Sequence, residues 1–493
     1  MPSLPALPFD LRSINKQSLF PTNDSHMAGI PKSGQSTPTN KANHTVFLVH
    51  GLWGNASHLN FVAQALQDKY SDEELVVVAC RSNPGSLTYD GIEVGAERVA
   101  REIEDKLDEL SRYGYKITKF SIVGYSLGGL VARYAIGLLY HKGYFDKITP
   151  MNFTTFATPH LGVRTPLTGY SNHLWNVLGA RTLSISGRQL FTIDNFRNTG
   201  RPLLSVLADP QSVFISALAK FQHRSLYTNI VNDRSAVFYT TGVSRCDPYT
   251  NLSKVNLRYV KDYEPVILDP NHPVERKSQG KLPNFYDRVR ESGRTFLGRL
   301  PIYLALMVII PIATVAFLIN SVIQTFRSRR RILLHENDND GSSGFGVYRI
   351  PYMVREMRVG LEDAFENVNS AQEQEYLPEG SEELAAGGDS SLPSRFAQTS
   401  GDLLEPEKSE TDSLKKEPVT TASERSPEFP TLALTNDQFA MIKSLDDVGF
   451  RKYPVHITKS SHSHAAIIVR TSRAAFEEGK VVVKHWLDNE FRI

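Results

Sequence analysis

Cysteine is almost missing from this chain. Two occur in 493 residues, Cys80 and Cys246, with no metal-ligand spacing and no framework of bridges. Both are expected as small buried apolar residues of a reducing compartment rather than as a disulfide. An excess of one charge is missing as well, since 55 Lys and Arg stand against 53 Asp and Glu. The whole chain thus lacks the basic balance that binding to a phosphate backbone requires, and no nucleic-acid partner is expected. The first twenty residues, MPSLPALPFDLRSINKQSLF, show no basic region followed by an apolar core, so a cleaved secretory leader is not expected. There are no internal repeats.

What is present is an alternation. The runs HTVFLVHG (44–51), LVVVACR (75–81), FSIVGYS (120–126), MNFTTFATPH (151–160) and SLYTNIVND (225–233) have strand length and are close to continuously apolar. That is the pattern of a parallel sheet buried on both faces. Between them Ile92, Ala96, Val99, Ile103, Leu107 and Leu110 recur at helical spacing, as do Leu127, Leu130, Val131, Tyr134 and Leu138. Strands alternating with helices of this length imply βαβ units, so the expected fold class is α/β, with a mostly parallel sheet and helices on both faces.

Composition divides the rest. Residues 1–43, rich in Pro, Ser, Thr and Asn, are expected as a disordered lead-in, and 44–298 as the core of the domain. Residues 161–224 interrupt the alternation and are expected as a lid-like insert, within which Phe214, Ala217, Leu218 and Phe221 share a face. A hydrophobic segment (299–326) leads into a basic run and then an acidic tract, with 17 acidic and 5 basic residues between Glu362 and Glu428. Residues 327–433 cannot bury enough apolar surface to offset their chain entropy and are expected to be disordered. Order is expected again over 434–493, with a helix from Asp437 to Leu445 and a strand in YPVHIT (453–458).

The chemistry centres on IVGYSLGGL (122–130), in which Gly124, Ser126 and Gly128 form G-x-S-x-G. The bare match is weak, since chance would place one in roughly one chain in six of this length at ordinary residue frequencies. Its place between an apolar strand and an amphipathic helix is what a nucleophile elbow needs: glycines let the backbone turn sharply, and the serine hydroxyl projects at the carboxyl end of the sheet. Acyl transfer also needs donors for the developing oxyanion. The amide of Leu127, just after the serine, and that of Leu52, in the loop VHGLWGN (49–55), are the candidates. His50 is then a residue of that loop rather than the base, and His160 in FATPHLG is expected to shape the pocket.

For the acid, Asp233 ends the next strand after the insert, and Asp247 is the alternative. For the base, chain order selects SSHSHAAIIVR (460–470) over His272, His335, His456 and His485. His464 immediately precedes the apolar stretch that anchors its loop, and His462 is the alternative. Two histidines at spacing two also suggest a metal, but no third ligand has convincing spacing, so neither metal nor cofactor is expected.

The stretches VFLVHGLWGNASHLNF, GYSLGGLVARY, FATPHLGVR, NIVNDRSAVFYTTG and HSHAAIIVR…EGKVVVKHWL together resemble the family of fungal serine esterases and lipases that includes a yeast lipid-droplet phospholipase. The resemblance covers about 44–275 and 434–490. It implies an α/β-hydrolase fold and hydrolysis of acyl esters in phospholipids or acylglycerols. It carries Ser126 over as nucleophile, and Asp233 with one histidine of the 462–464 pair. Tyr125 stands where many lipases have His.

One segment sits awkwardly with a single site. LPIYLALMVIIPIATVAFLINSVI (300–323) has no formal charge over 24 positions, long enough to cross a bilayer. Ser126 and Asp233 precede it and His464 follows it, so a single crossing would divide them between two compartments. Three readings follow. In the first, a hairpin turning at Pro311 enters one leaflet or a droplet monolayer, each arm reaching roughly 17 Å as helix. In the second, a true span requires another base, such as His272. In the third, an apolar helix packs on the domain. The first places the protein on a lipid droplet or the endoplasmic reticulum membrane, with its catalytic domain in the cytosol. The competing functions are a membrane-surface lipase or phospholipase, a catalytically silent hydrolase fold serving as tether or scaffold, and a soluble esterase or thioesterase with an anchor.

Overall fold

Five of the six strands of the main sheet are linked by the loops and helices that the alternation predicts, and the sixth returns from far along the chain. The structure, a computed structural model, describes residues 41–164, 166, 184–277, 326–327, 375–377 and 429–493. The strands are β1 His44–Val49, β2 Leu75–Ala79, β3 Lys119–Tyr125, β4 Thr149–Phe156, β5 His223–Asn229 and β8 Arg451–Val455. Their order is β2-β1-β3-β4-β5-β8, and each neighbouring pair is parallel. A short antiparallel hairpin, β6 Val255–Leu257 and β7 Val274–Arg276, stands apart.

Alternate strand residues feed two cores, as a sheet covered on both faces requires. Phe47, Phe120, Ile122 and Phe153 face α2 Ile92–Arg112 and α3 Leu127–His141. Val46, Leu48, Val123 and Phe156 face α1 Asn60–Lys69 and α10 Glu477–Asn489, whose Trp486 is wholly buried. The apolar stripe of α2 is buried throughout, which is why that helix holds its place despite its charged outer face.

The insert is not uniformly a lid. Of its described part, α5 Leu203–Leu207 and α6 Val213–Ala219 belong to the first core, with Leu203, Leu204, Leu207 and Phe214 all buried. Phe214 lies so close to Gly137 of α3 that any side chain at 137 would collide with its ring. Phe221, placed on the same face, is buried just beyond the end of α6. Among the described residues of the insert, Val163, and Leu190 at the end of α4 Ser184–Leu190, reach the cavity at the serine. A single turn, α7 Phe238–Thr241, follows β5.

Order in the last part begins earlier than composition suggests. Thr431 and Leu432 bridge to Cys246 and Tyr376, and three residues of the acidic tract, Glu375–Leu377, pair along that segment. These three depart from the expectation of disorder because backbone bonds to Thr431 and Ala433 and the packing of Leu377 against the core hold them. Then come α8 Asn436–Val448, started by a capping box between Thr435 and Gln438, strand β8, and the one-turn α9 Ser463–Ala466. The segment 300–323 and the tract around 375–377 lie outside the described residues.

β1 is followed by β2 on one side, after which the chain crosses back and adds β3, β4 and β5 on the other. The crevice between the carboxyl ends of β1 and β3 is therefore a topological switch point, where open α/β sheets bind their ligands.

Candidate active site

At that crevice β3 is followed by Ser126, whose φ of 54° and ψ of −129° lie where a residue with a side chain is rarely found. Such strain persists only where the surroundings impose it. Here a side chain at Gly124 would strike the backbone of Gly129, and one at Gly128 the carbonyl oxygens of Val49 and His50. The glycines of the motif thus let strand, turn and helix pack at backbone distance and drive the serine outward. Ser126 precedes the first turn of α3, so the Leu127 amide is one of the helix's unpaired N-terminal donors.

His464 Nε2 lies 2.9 Å from Ser126 Oγ, and its Nδ1 lies 2.9 Å from Asp233 Oδ2. A carboxylate can only accept, so Nδ1 donates to Asp233 and Nε2 is left to accept the serine proton. Asp233 is fixed in turn: Asn229 Nδ2 donates to Oδ2 at 2.8 Å, and the amides of Ser235 and Ala236 donate to Oδ1 at 3.2 and 2.9 Å. The loops carrying acid and imidazole are stitched together, since the Ser463 hydroxyl donates to Val231 O at 2.7 Å and its amide to Asn232 O.

Ser126, His464 and Asp233 are thereby brought together, whereas the alternatives are used elsewhere. His462 is the residue before α9, and its carbonyl accepts the amides of Ala465 and Ala466. Asp247 accepts the amide of Tyr249 in a turn. His456 and His485 pair with the hydroxyls of Tyr259 and Tyr227. His50 Nδ1 sits 3.0 Å from the carbonyl oxygen of Gly51, and burial pushes its pKa down. His160 does not line the cavity at Ser126: it is fully buried, bonded to Thr155 and in tilted ring contact with Phe450, and burial holds its pKa well below the usual range.

The loop after β1 shows a device with no signature in the sequence. Trp53, at a φ of 55°, donates its amide to Thr88 Oγ1 at 3.0 Å and its indole N–H to Tyr89 Oη at 2.6 Å. The Gly85 amide donates to Gly54 O at 2.8 Å. The turn Gly85–Tyr89 is itself held by the insert, because the Ser186 hydroxyl of α4 donates to Thr88 O at 2.5 Å and accepts the Gly91 amide at 3.0 Å. Leu52 is flanked by these fixed residues, and among the described residues neither its amide nor that of Leu127 donates a hydrogen bond. Thr88, Tyr89 and Ser186 escaped notice because contacts across 35 to 98 positions leave no local pattern.

A cavity of about 60 Å³ opens at Ser126 and His464. Its walls are mostly apolar, with Leu52, Trp53, Pro159, Val163, Leu190 and Ala236, and Arg470 and Ser235 are polar members.

A parallel sheet with a serine on a strained turn after β3, an imidazole beside it and an apolar cavity define an α/β-hydrolase. Within that class, residues 39–248 match the family model described as "Putative serine esterase (DUF676)". That span contains Ser126 and Asp233, and His464 lies beyond it. Among curated proteins, "Putative lipase ROG1" of Saccharomyces cerevisiae is 32% identical over 49% of this chain and 35% of its own length. "Putative lipase YDL109C" of the same yeast is 29% identical over 53% of this chain and 38% of its own length. "Putative lipase C4A8.10" of Schizosaccharomyces pombe is 30% identical over 41% of this chain and 26% of its own. The chain thus spans about a third of the length of these relatives. The solved phospholipase PlaB from Legionella pneumophila shares 16% identity over 41% of this chain and 43% of its own, with a TM-score of 0.25.

Proposed function

We propose that this serine hydrolase cleaves acyl ester bonds of phospholipids or acylglycerols at a membrane or lipid-droplet surface, with Ser126, His464 and Asp233 as its triad. The observation that carries the reading is the unbroken chain of hydrogen bonds from Ser126 Oγ through the imidazole to Asp233. As an ester carbonyl approaches, Oγ forms a bond to its carbon while the hydroxyl proton passes to His464 Nε2. Asp233 stabilises the imidazolium, and the amides of Leu52 and Leu127 receive the oxyanion. Collapse expels the alcohol, which takes the proton from His464. Water, deprotonated by the same imidazole, then adds to the acyl-serine and releases the acid and the free hydroxyl.

The apolar walls beside Ser126 suit an acyl chain, and the lipase names of the relatives agree with that substrate class. The surface assignment rests on the uncharged segment 300–323. Parallel pairing of β8, which follows that segment, with β5, which precedes it, supports a chain that returns to the side it left, as a hairpin at Pro311 would. A droplet or endoplasmic reticulum surface with the catalytic domain in the cytosol follows from this reading.

The test is release of fatty acid from a panel of phospholipids and acylglycerols by wild type and Ser126→Ala in parallel. Loss of turnover by several orders of magnitude in a folded variant is expected. A Ser126→Ala protein that hydrolyses like the parent sinks the reading. Failure of a fluorophosphonate to label the folded wild-type protein at Ser126 points to a silent scaffold instead.

A further inference from the structure

We propose that Tyr125, the residue between glycine and serine in the motif, is a positioning residue for the base. The inference rests on the reading of Ser126, His464 and Asp233 as a triad and adds a fourth member that holds it in register.

Tyr125 is the last residue of β3 and is almost fully buried. Its hydroxyl donates to the main-chain carbonyl oxygen of His464 at 3.0 Å, and its ring lies 5.2 Å from the imidazole, tilted by 41°. Buried tyrosine hydroxyls generally find a partner, so a bond alone is unremarkable. The identity of the acceptor is what matters. α9 is a single turn of four residues, too short to be rigid by its own hydrogen bonds. Its internal bonds use the carbonyls of His462 and Ser463, while that of His464 is taken by a residue 339 positions away.

His464 is therefore clamped from two sides. Ser463 ties its turn to the acid loop through Val231 and Asn232. Tyr125 ties the same turn to the strand that carries the nucleophile. The phenol thus sets the height of the imidazole over the Oγ of Ser126, the residue that follows Tyr125 in the chain. Its ring also packs beside the imidazole.

Loss of the hydroxyl alone isolates the effect. In Tyr125→Phe the ring remains, the His464 carbonyl loses its donor, and the imidazole shifts relative to Oγ. With purified full-length protein and a soluble p-nitrophenyl ester, kcat should fall roughly ten- to a hundredfold, as misplacement of a reacting group by a fraction of an ångström to an ångström costs. KM should change little, because the acyl cavity is untouched. The same shift loosens the Nδ1 bond to Asp233 that favours the protonated imidazole, so the acidic limb of the kcat profile should move to lower pH. Fluorophosphonate labelling of Ser126 should slow in proportion to kcat.

Tyr134→Phe is the control for a merely structural phenol. Tyr134 is also buried and bonded, to Glu93, on the far part of the nucleophile helix. It should leave kcat and the pH limb alone. A folded Tyr125→Phe with parental kcat and an unmoved acidic limb overturns the inference, provided Ser126→Ala is inactive. If Ser126→Ala retains activity, the triad reading itself has failed. If Tyr125→Phe does not fold, 3-fluorotyrosine placed at 125 keeps the ring and alters only the strength of the donor. A changed kcat at constant KM then supports the proposal, and an unchanged kcat and pH limb overturns it.

Discussion

A Cβ atom on Gly51 would lie 2.7 Å from the Cβ of Ser126 and 3.3 Å from its hydroxyl. The loop after β1 therefore reaches Ser126 at a distance that only glycine permits, and in the proposed mechanism this closeness brings the Leu52 amide toward the reacting carbonyl. Gly51→Ala should push the loop away from Ser126. Because loss of one oxyanion donor costs about 10²- to 10³-fold in rate, kcat should fall by roughly a hundredfold or more. Secondary structure by circular dichroism should be retained. A variant with parental kcat would remove Leu52 from the oxyanion site.

Thr88 tests the brace behind that loop. Thr88→Val keeps the shape of the side chain but leaves the Trp53 amide without its acceptor, a buried loss of about 1–3 kcal/mol in stability. It should also lower kcat, since the strained Trp53 adjoins Leu52. Ser186→Ala, which frees the opposite end of the brace in α4, should show the same sign. Members of one hydrogen-bonded network couple, so the double variant should lose less than the two single losses combined. Steady-state kinetics and chemical denaturation of the three variants measure this. Strict additivity would separate the insert from the oxyanion loop.

Much of this architecture was legible before any coordinates. The apolar runs marked the strands because burial on both faces removes polar residues from them, and the recurrence in α2 marked a helix because one face alone is buried. α1 escaped because only Val62 and Leu66 of its ten residues are fully buried, too sparse a stripe to read. The choice between His462 and His464 could not be read from spacing. Both lie in one loop, and a single turn of helix decides which imidazole faces Ser126. The brace through Thr88 and Ser186 and the docking of Glu375–Leu377 were illegible for a related reason: each joins short stretches that carry no periodicity of their own.

Buried neutral histidines predict an acid limit to stability. Burial first, then the Arg451 charge, pushes the pKa of His485 down from 6.5 to about 4. Burial and Lys119 push that of His44 down to about 3. Between pH 6.5 and about 4 the unfolded chain binds protons at these positions and the folded chain does not, so stability rises with pH there and is lost on acidification. Each fully depressed histidine contributes a slope of order 1 kcal/mol per pH unit. His485→Gln, which cannot titrate, should lower stability at pH 7 by disturbing the bond to Tyr227, yet flatten the fall between pH 6.5 and 4.5. Urea denaturation across that range decides it, and an unchanged slope would remove His485 from the acid response.

The proposed hairpin at 300–323 gives the last prediction. If β8 adds to β5 and His464 meets Ser126 in the working enzyme, Arg299 and the basic run at 327–331 must face the same compartment. A hairpin satisfies this with Pro311 at its turn, since proline interrupts the helix and each arm need only reach the depth of one leaflet. The basic residues on both flanks can then sit at one anionic surface. Protease-cleavable tags inserted beside residues 299 and 327 should be cut together in sealed microsomes from the cytosolic side, and both should be protected in inverted vesicles. Cleavage of one tag only would mean a single crossing. It would place His464 and Ser126 in different compartments and exclude the hairpin together with this histidine as base.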